Sequence, residues 1–169
     1  ACTRAQDVAQ TLADLDHAVA DGLHVAGYFA YEMGSVLEAK LAHLCPPDLD
    51  GPLIWMGVFA EAQHLSETQA NDLMQTWGRD TYTTGPLHGD MTRDRYMENV
   101  ECVREHIRAG DVYQINYTFK QGFDYTGSPL ALYAQLRRRQ RARYGAVIHT
   151  GDRHILSLSP ELFVETEGN

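Results

Sequence analysis

Apolar positions recur along this chain with two different periods, and the switches between them mark out its elements. Val8, Leu12, Leu15 and Val19 stand at helical spacing, which predicts a helix over about Thr3 to Asp21 that stops at Gly22. "HVAGYFAYEM" (24–33) is rich in aromatic and small residues and predicts a buried strand. "GSVLEAKLAHL" (34–44) predicts a short helix closed by Pro46-Pro47, and "PLIWMGVFAEAQHL" (52–65) the next apolar strand region. Ser66 with Gln69 three residues on has the form of a capping box for a helix that Gly78 ends. The polar, Gly/Pro-containing stretch 79–90 predicts an exposed loop. The clearest helix is Arg93 to Ala109, where Tyr96, Val100, Val103 and Ile107 form one stripe and Gly110 fits the residue just past the end.

The period then changes to two. In "GDVYQINYTFKQGFDY" (110–125), Tyr113, Ile115, Tyr117 and Phe119 fall on one face of a strand, and Gln114, Asn116, Thr118 and Lys120 on the other. A solvent face usually carries mixed charge. Here three uncharged hydrogen-bonding groups come in succession, so they either face water or fix a polar layer within a larger protein. Ser128-Pro129 supplies a cap and first turn for a helix carrying Leu132, Tyr133 and Leu136. "YGAVIHT" and "HILSLS" predict strands around Gly151-Asp152. "ELFVETEGN" (161–169) predicts a strand arriving at a turn whose return strand would lie further on. The expectation is a piece of a longer protein, read as a single domain over 1–169 with no internal boundary.

Composition narrows the function classes. The 169 residues are 44% hydrophobic and 22% charged, ordinary for a globular protein with a real core. A formal net charge of -9 argues against bulk attraction to nucleic acid or anionic membrane. No apolar run is long enough to span a bilayer, and "ACTRAQDVAQ" lacks the blocks of a signal peptide; a cytoplasmic setting is the expectation. Cys2, Cys45 and Cys102 are odd in number and far apart, which argues against a disulfide framework or a CxxC site. The eight His residues show no HxxxH or HxH spacing and read as structural or surface groups. The arginines of "RRRQRARY" (137–144) complement a helix C-terminus in solvent; anion binding is the sharper alternative.

Four stretches, in order, carry a resemblance: "AGYFAYEMG", "YMENVECVREHIRAGDVYQINYTFK", "SPLALYAQLR" and "ILSLSPELFVE". Together they resemble the chorismate-utilising enzymes, the family of anthranilate synthase and aminodeoxychorismate synthase large subunits, over roughly Gly27 to Glu165. Within it, "GDVYQINYTF" is more similar to the aminodeoxychorismate branch; the anthranilate branch usually has Val-Pro-Ser or similar at Asn116-Tyr117-Thr118. A Lys in one branch and an Ala in the other, shortly after Ser-Pro-Glu, would separate them, and this chain ends before that position.

The resemblance implies an α+β fold of antiparallel sheets flanked by helices, present here in part. It implies amination of chorismate at C4 to 4-amino-4-deoxychorismate, a p-aminobenzoate and folate precursor, with ammonia from a glutamine amidotransferase subunit or domain. It implies Mg2+ held by glutamates outside this chain, so no metal ligand is assigned and no cofactor is expected in this piece, which alone is expected to be inactive. Glu161 matches the Ser-Pro-Glu glutamate, a general acid/base at C4. Gln114, Asn116, Thr118 and Ser159 are substrate-proximal or polar-layer candidates. Tyr144 and Gly145 match the segment that lines an effector pocket in tryptophan-binding relatives, although Ala142 and Arg143 stand where prolines are usual and the N-terminal Leu-Leu-Glu-Ser-like motif is absent. The alternatives are anthranilate synthase component I and a non-catalytic ligand- or partner-binding module. An incomplete piece would also self-associate through exposed strand edges.

Overall fold

The computed structural model describes residues 1–140 and 142–166. It is a mixed helix and strand fold whose sheets are small, antiparallel and two-stranded, in line with the α+β expectation. The chain divides into two compact units, residues 1–73 with 142–169 and residues 74–141.

The first unit is built on α1 (Val8–Ala20), β1 (His24–Phe29), α2 (Met33–Leu37) and β2 (Ile54–Phe59). β1 and β2 pair from His24 opposite Phe59 to Phe29 opposite Ile54. Gly27 faces Met56 there, and a Cβ on it would collide with the Trp55 carbonyl oxygen, so only glycine fits. The far edge of β2 is also used: the Cys2 N–H donates to Ile54 O at 2.7 Å and the Ile54 N–H to Cys2 O at 3.2 Å. Cys2, Val8, Leu53 and Ile54 form the buried cluster, closed by Leu12 and Leu15 of α1 and by Met33, Val36, Leu49 and Met56. The α1 stripe thus does what its spacing predicts, except that Val19 lies exposed past the sheet. The expected helix over 34–44 is broken. α2 ends at Leu37, Glu38 is extended (φ -106°, ψ 103°), and a 3-10 turn covers Ala39–Leu44. Gly34 and Ser35 are poor helix formers within a five-residue segment.

The same unit holds the hairpin of β5 (Tyr144–His149) and β6 (His154–Ser159), in register from Tyr144 opposite Ser159 to His149 opposite His154. Its turn is closed by the Thr150 N–H donating to Arg153 O at 3.0 Å, with Gly151 at φ 103°. Arg153 ties the tip down through Nη1, which donates to Asp50 O at 2.7 Å and Oδ1 at 3.0 Å. The strand expected over 161–169 is not formed by 161–166. Pro160 has no N–H to continue the ladder, and among the described residues no strand pairs with this stretch; Phe163 is 99% exposed. Glu167, Gly168 and Asn169, where a turn was expected, lie outside the described residues, as does Arg141 of the arginine tract.

In the second unit, α4 (Arg93–Ala109) has the predicted bounds. Thr92 Oγ1 accepts from the Arg95 N–H at 3.2 Å, and Gly110 is left-handed at φ 81°. The capping box of α3 (Glu67–Trp77), whose first residues belong to the first unit, also forms: the Ser66 N–H donates to Gln69 Oε1 at 2.8 Å and the Gln69 N–H to Ser66 Oγ at 3.3 Å. Ser128 Oγ caps α5 (Pro129–Gln140) by accepting from the Ala131 N–H, and Ala131, Tyr133 and Ala134 are its buried face. The polar stretch 79–90 is not wholly loop. Tyr82–Thr84 is a strand, β3, pairing with β4 (Tyr125–Gly127). Three residues without an apolar run carry no period to read, and only the β-branched threonines pointed that way.

The strand expected over 110–125 forms only at its end. Residues 113–121 make no ladder; a bridge joins Gly122 to His88 and then β4 begins. Alternation still sorts part of the stretch: Tyr117 and Phe119 pack on Tyr96 of α4, each ring 5.7 Å from it, and Asn99 donates to the Tyr117 hydroxyl at 2.5 Å. Tyr113, by contrast, is 94% exposed.

Candidate functional site

Ser159 ends β6, and its neighbour Pro160 ends the ladder, so Glu161 emerges just beyond the sheet. Its backbone is held locally. Ser159 Oγ donates to Glu161 O at 2.8 Å and accepts from the Glu161 N–H at 3.3 Å, a small ring closed by one hydroxyl. Across the ladder, Tyr144 stands opposite Ser159 and Gly145 opposite Leu158. The hairpin therefore gathers four candidates chosen from separate motifs: Tyr144, Gly145, Ser159 and Glu161. Arg143 adds its guanidinium 5.4 Å from the Tyr144 ring centroid, a cation–π contact at the strand's start.

The Glu161 carboxylate is exposed, as are Leu162, Phe163 and Val164 after it. Acid work on a poor leaving group calls for burial, and the described residues of this chain do not supply it at Glu161. Gln114, Asn116 and Thr118 lie in the second unit and are all exposed on the unladdered stretch. Among the described residues, no group of three or more His, Cys, Asp or Glu could hold a metal ion. The described residues therefore do not fit a magnesium site.

Two features escaped the sequence pattern. In the second unit, the Tyr82 hydroxyl donates to Gln135 Oε1 of α5 and its ring stacks on Tyr125 at 6.4 Å. Beside them, Leu87, Phe123, Leu132 and Arg139 help line an open cleft of about 330 Å³. Tyr125 sits behind this pair with its hydroxyl buried, and that burial, with Tyr82 alongside, raises its pKa. β3 was not legible and β4 only at Tyr125, the last residue of the expected strand, so the cleft was not legible either. The second feature is at the hairpin tip, where His149 and His154 face each other across the strands. Their five-residue separation matches no linear metal motif; counting outward from Gly151-Asp152 would have paired them.

No described helix is long and apolar enough to cross a membrane. The sequence matches the family described as chorismate binding enzyme over residues 2–169. It is similar to aminodeoxychorismate synthase component 1 of Escherichia coli (strain K12), at 28% identity over 82% of this chain and 34% of that protein. Aminodeoxychorismate synthase component 1 of Bacillus subtilis (strain 168) is 33% identical over 84% of this chain and 36% of its own length. Anthranilate synthase component 1 of Haloferax volcanii is 32% identical over 73% and 23%. The chain thus spans about a third of the length of the two aminodeoxychorismate relatives. No solved structure gave a significant match. The ordered motifs, the small antiparallel sheets and a family match running nearly end to end agree: the chain belongs to the chorismate-binding enzyme family.

Proposed function

We propose that the chain is part of an aminodeoxychorismate synthase component 1, which aminates chorismate at C4 with ammonia from a glutamine amidotransferase partner. The observation that carries this reading is the run "GDVYQINYTF" in its place ahead of "SPELF", with Asn116-Tyr117-Thr118 where the anthranilate branch usually differs. The aminodeoxychorismate relatives support it, while anthranilate synthase remains the second reading because its component 1 is similar over most of the chain too.

In this reading Glu161 protonates the oxygen that leaves C4, since hydroxide is a poor leaving group. As the proton arrives a nucleophile bonds to the ring, the bond from C4 to that oxygen breaks and water departs; ammonia then displaces the nucleophile, forms the new bond at C4 and gives up a proton. Ser159 and Pro160 fix where the Glu161 backbone stands. The cover that would dry its carboxylate comes from the rest of the protein, which also carries the branch-specific nucleophile and the Mg2+ ligands. These 169 residues alone are expected not to turn chorismate over.

The intact protein, given chorismate, ammonia and Mg2+, is expected to release 4-amino-4-deoxychorismate; anthranilate as the product would move the assignment to the second reading. Glu161→Gln in the intact protein is expected to lower turnover on the order of a hundredfold with the fold unchanged, and an unaltered rate would remove Glu161 from the mechanism. No turnover by the intact protein, with chorismate still bound, would favour a binding module.

A further inference from the structure

At the tip of the β5–β6 hairpin two imidazoles are already paired. His149 is the last residue of β5 and His154 the first of β6, directly opposite in register. Their rings stack with centroids 4.2 Å apart and planes within 13°. Both side chains are exposed, so a solute can reach them. The strand ends carrying them are held by the Thr150 N–H to Arg153 O bond and by Thr150 Oγ1 donating to Asp152 Oδ1 at 2.9 Å. The nearest cation is committed elsewhere: Arg153 lies 3.0 Å from Asp50 Oδ1 and its Nε 3.6 Å from Asp152 Oδ2. Those two carboxylates offset its charge, so a divalent cation held by the two ring nitrogens meets little net repulsion.

From the opposed rings at the closed end of the hairpin, we propose that His149 and His154 form a bidentate site for an imidazole-preferring divalent metal, Zn2+ or Cu2+, with water completing the coordination. Two nitrogens on one tetrahedral zinc, each about 2.1 Å from it, stand roughly 3.4 Å apart. The rings as stacked hold their in-plane lone pairs in nearly parallel planes, so binding turns both exposed rings about their side-chain torsions until one nitrogen of each faces the ion; the directly opposed strand positions allow this without moving the backbone. The choice of metal follows from the donors. Imidazole nitrogen suits zinc and copper, whereas magnesium takes oxygen and keeps its waters. The site is therefore separate in chemistry from any magnesium-dependent step. Binding uses the neutral rings, so any proton they carry is released and affinity falls as pH drops. Metal bound here staples the end of the hairpin whose other end carries Tyr144, Ser159 and, just beyond, Glu161.

The test is a Zn2+ titration of the intact protein by calorimetry near pH 7.5, beside His149→Ala, His154→Ala and, as a background control, His17→Ala. Losing either half of a chelate forfeits the second, intramolecular bond, so each hairpin variant is expected to bind about tenfold or more weaker, with His17→Ala unchanged. Equal binding by the wild type and both hairpin variants would overturn the proposal, as would a loss from only one of them. A measurement on the unsubstituted protein guards against misfolded variants. Its Cu2+ electron paramagnetic resonance spectrum is expected to show two equivalent nitrogen ligands, and a single nitrogen would overturn the proposal.

Discussion

Two stretches of this chain alternate in sequence, and only one of them becomes a ladder. The β5–β6 hairpin pairs six residues against six, with a turn that fixes its register. Residues 113–121 alternate more cleanly, aromatic against amide, yet pair with nothing. The difference lies in what each stretch is offered. The hairpin carries its partner five to fifteen positions away and closes a short loop at small entropic cost. The aromatic–amide stretch has no strand beside it among the described residues. α4 takes two of its rings, and the backbone amides have no ladder to enter. Period two therefore reports which side chains share a face; it does not supply the neighbour that makes a strand.

The sharpest way to break this comparison is native-state amide exchange. Amides inside the β5–β6 ladder are expected to exchange on the order of a hundredfold more slowly than those of 114–120, since laddered amides open only with their unit while unpaired ones need no opening. Equal protection would mean that 113–121 has found a partner. In the intact protein, where the alternation expects one, protection of that stretch should rise.

A smaller effect probes the turn. Gly151→Ala puts a side chain at φ 103°, and a cost of about 1–2 kcal/mol is expected in urea unfolding, confined to the first unit. A neutral outcome would show that the register does not depend on that turn.

The smallest expected change is on the amide face. Gln114→Ala and Thr118→Ala should each alter the stability of this chain by less than about 0.5 kcal/mol, because both side chains are exposed. A loss of 1–3 kcal/mol, as for a buried polar group deprived of its bond, would place them in a covered polar layer instead.

How much was legible follows the same line. Elements that close locally were read with their ends: α4 with Gly110, the Ser66–Gln69 box of α3, the Ser128 cap of α5 and the β5–β6 turn each need only residues a few positions apart. Elements that depend on a distant partner were misread. β3 was hidden because its three residues gain meaning only from β4, some forty positions on. The strand expected after Pro160 failed for the opposite reason, an apolar run with nothing beside it. The candidate site divides likewise. The position of Glu161 beside Ser159 follows from the ladder's end, whereas its exposure depends on what packs there from elsewhere, which no local pattern reports.

The three thiols stand at graded depths in this framework: Cys2 is buried against the outer edge of β2, Cys45 is half-buried, and Cys102 is exposed on α4. Cys2 also has its sulfur 3.3 Å from Arg4 O. An alkylating reagent meets Cys102 at once, but reaches Cys2 only when the Cys2–Ile54 bridge lets go. The protein thus carries its own clock and its own reference: one sulfur times the opening of the first unit's core while another counts the reagent.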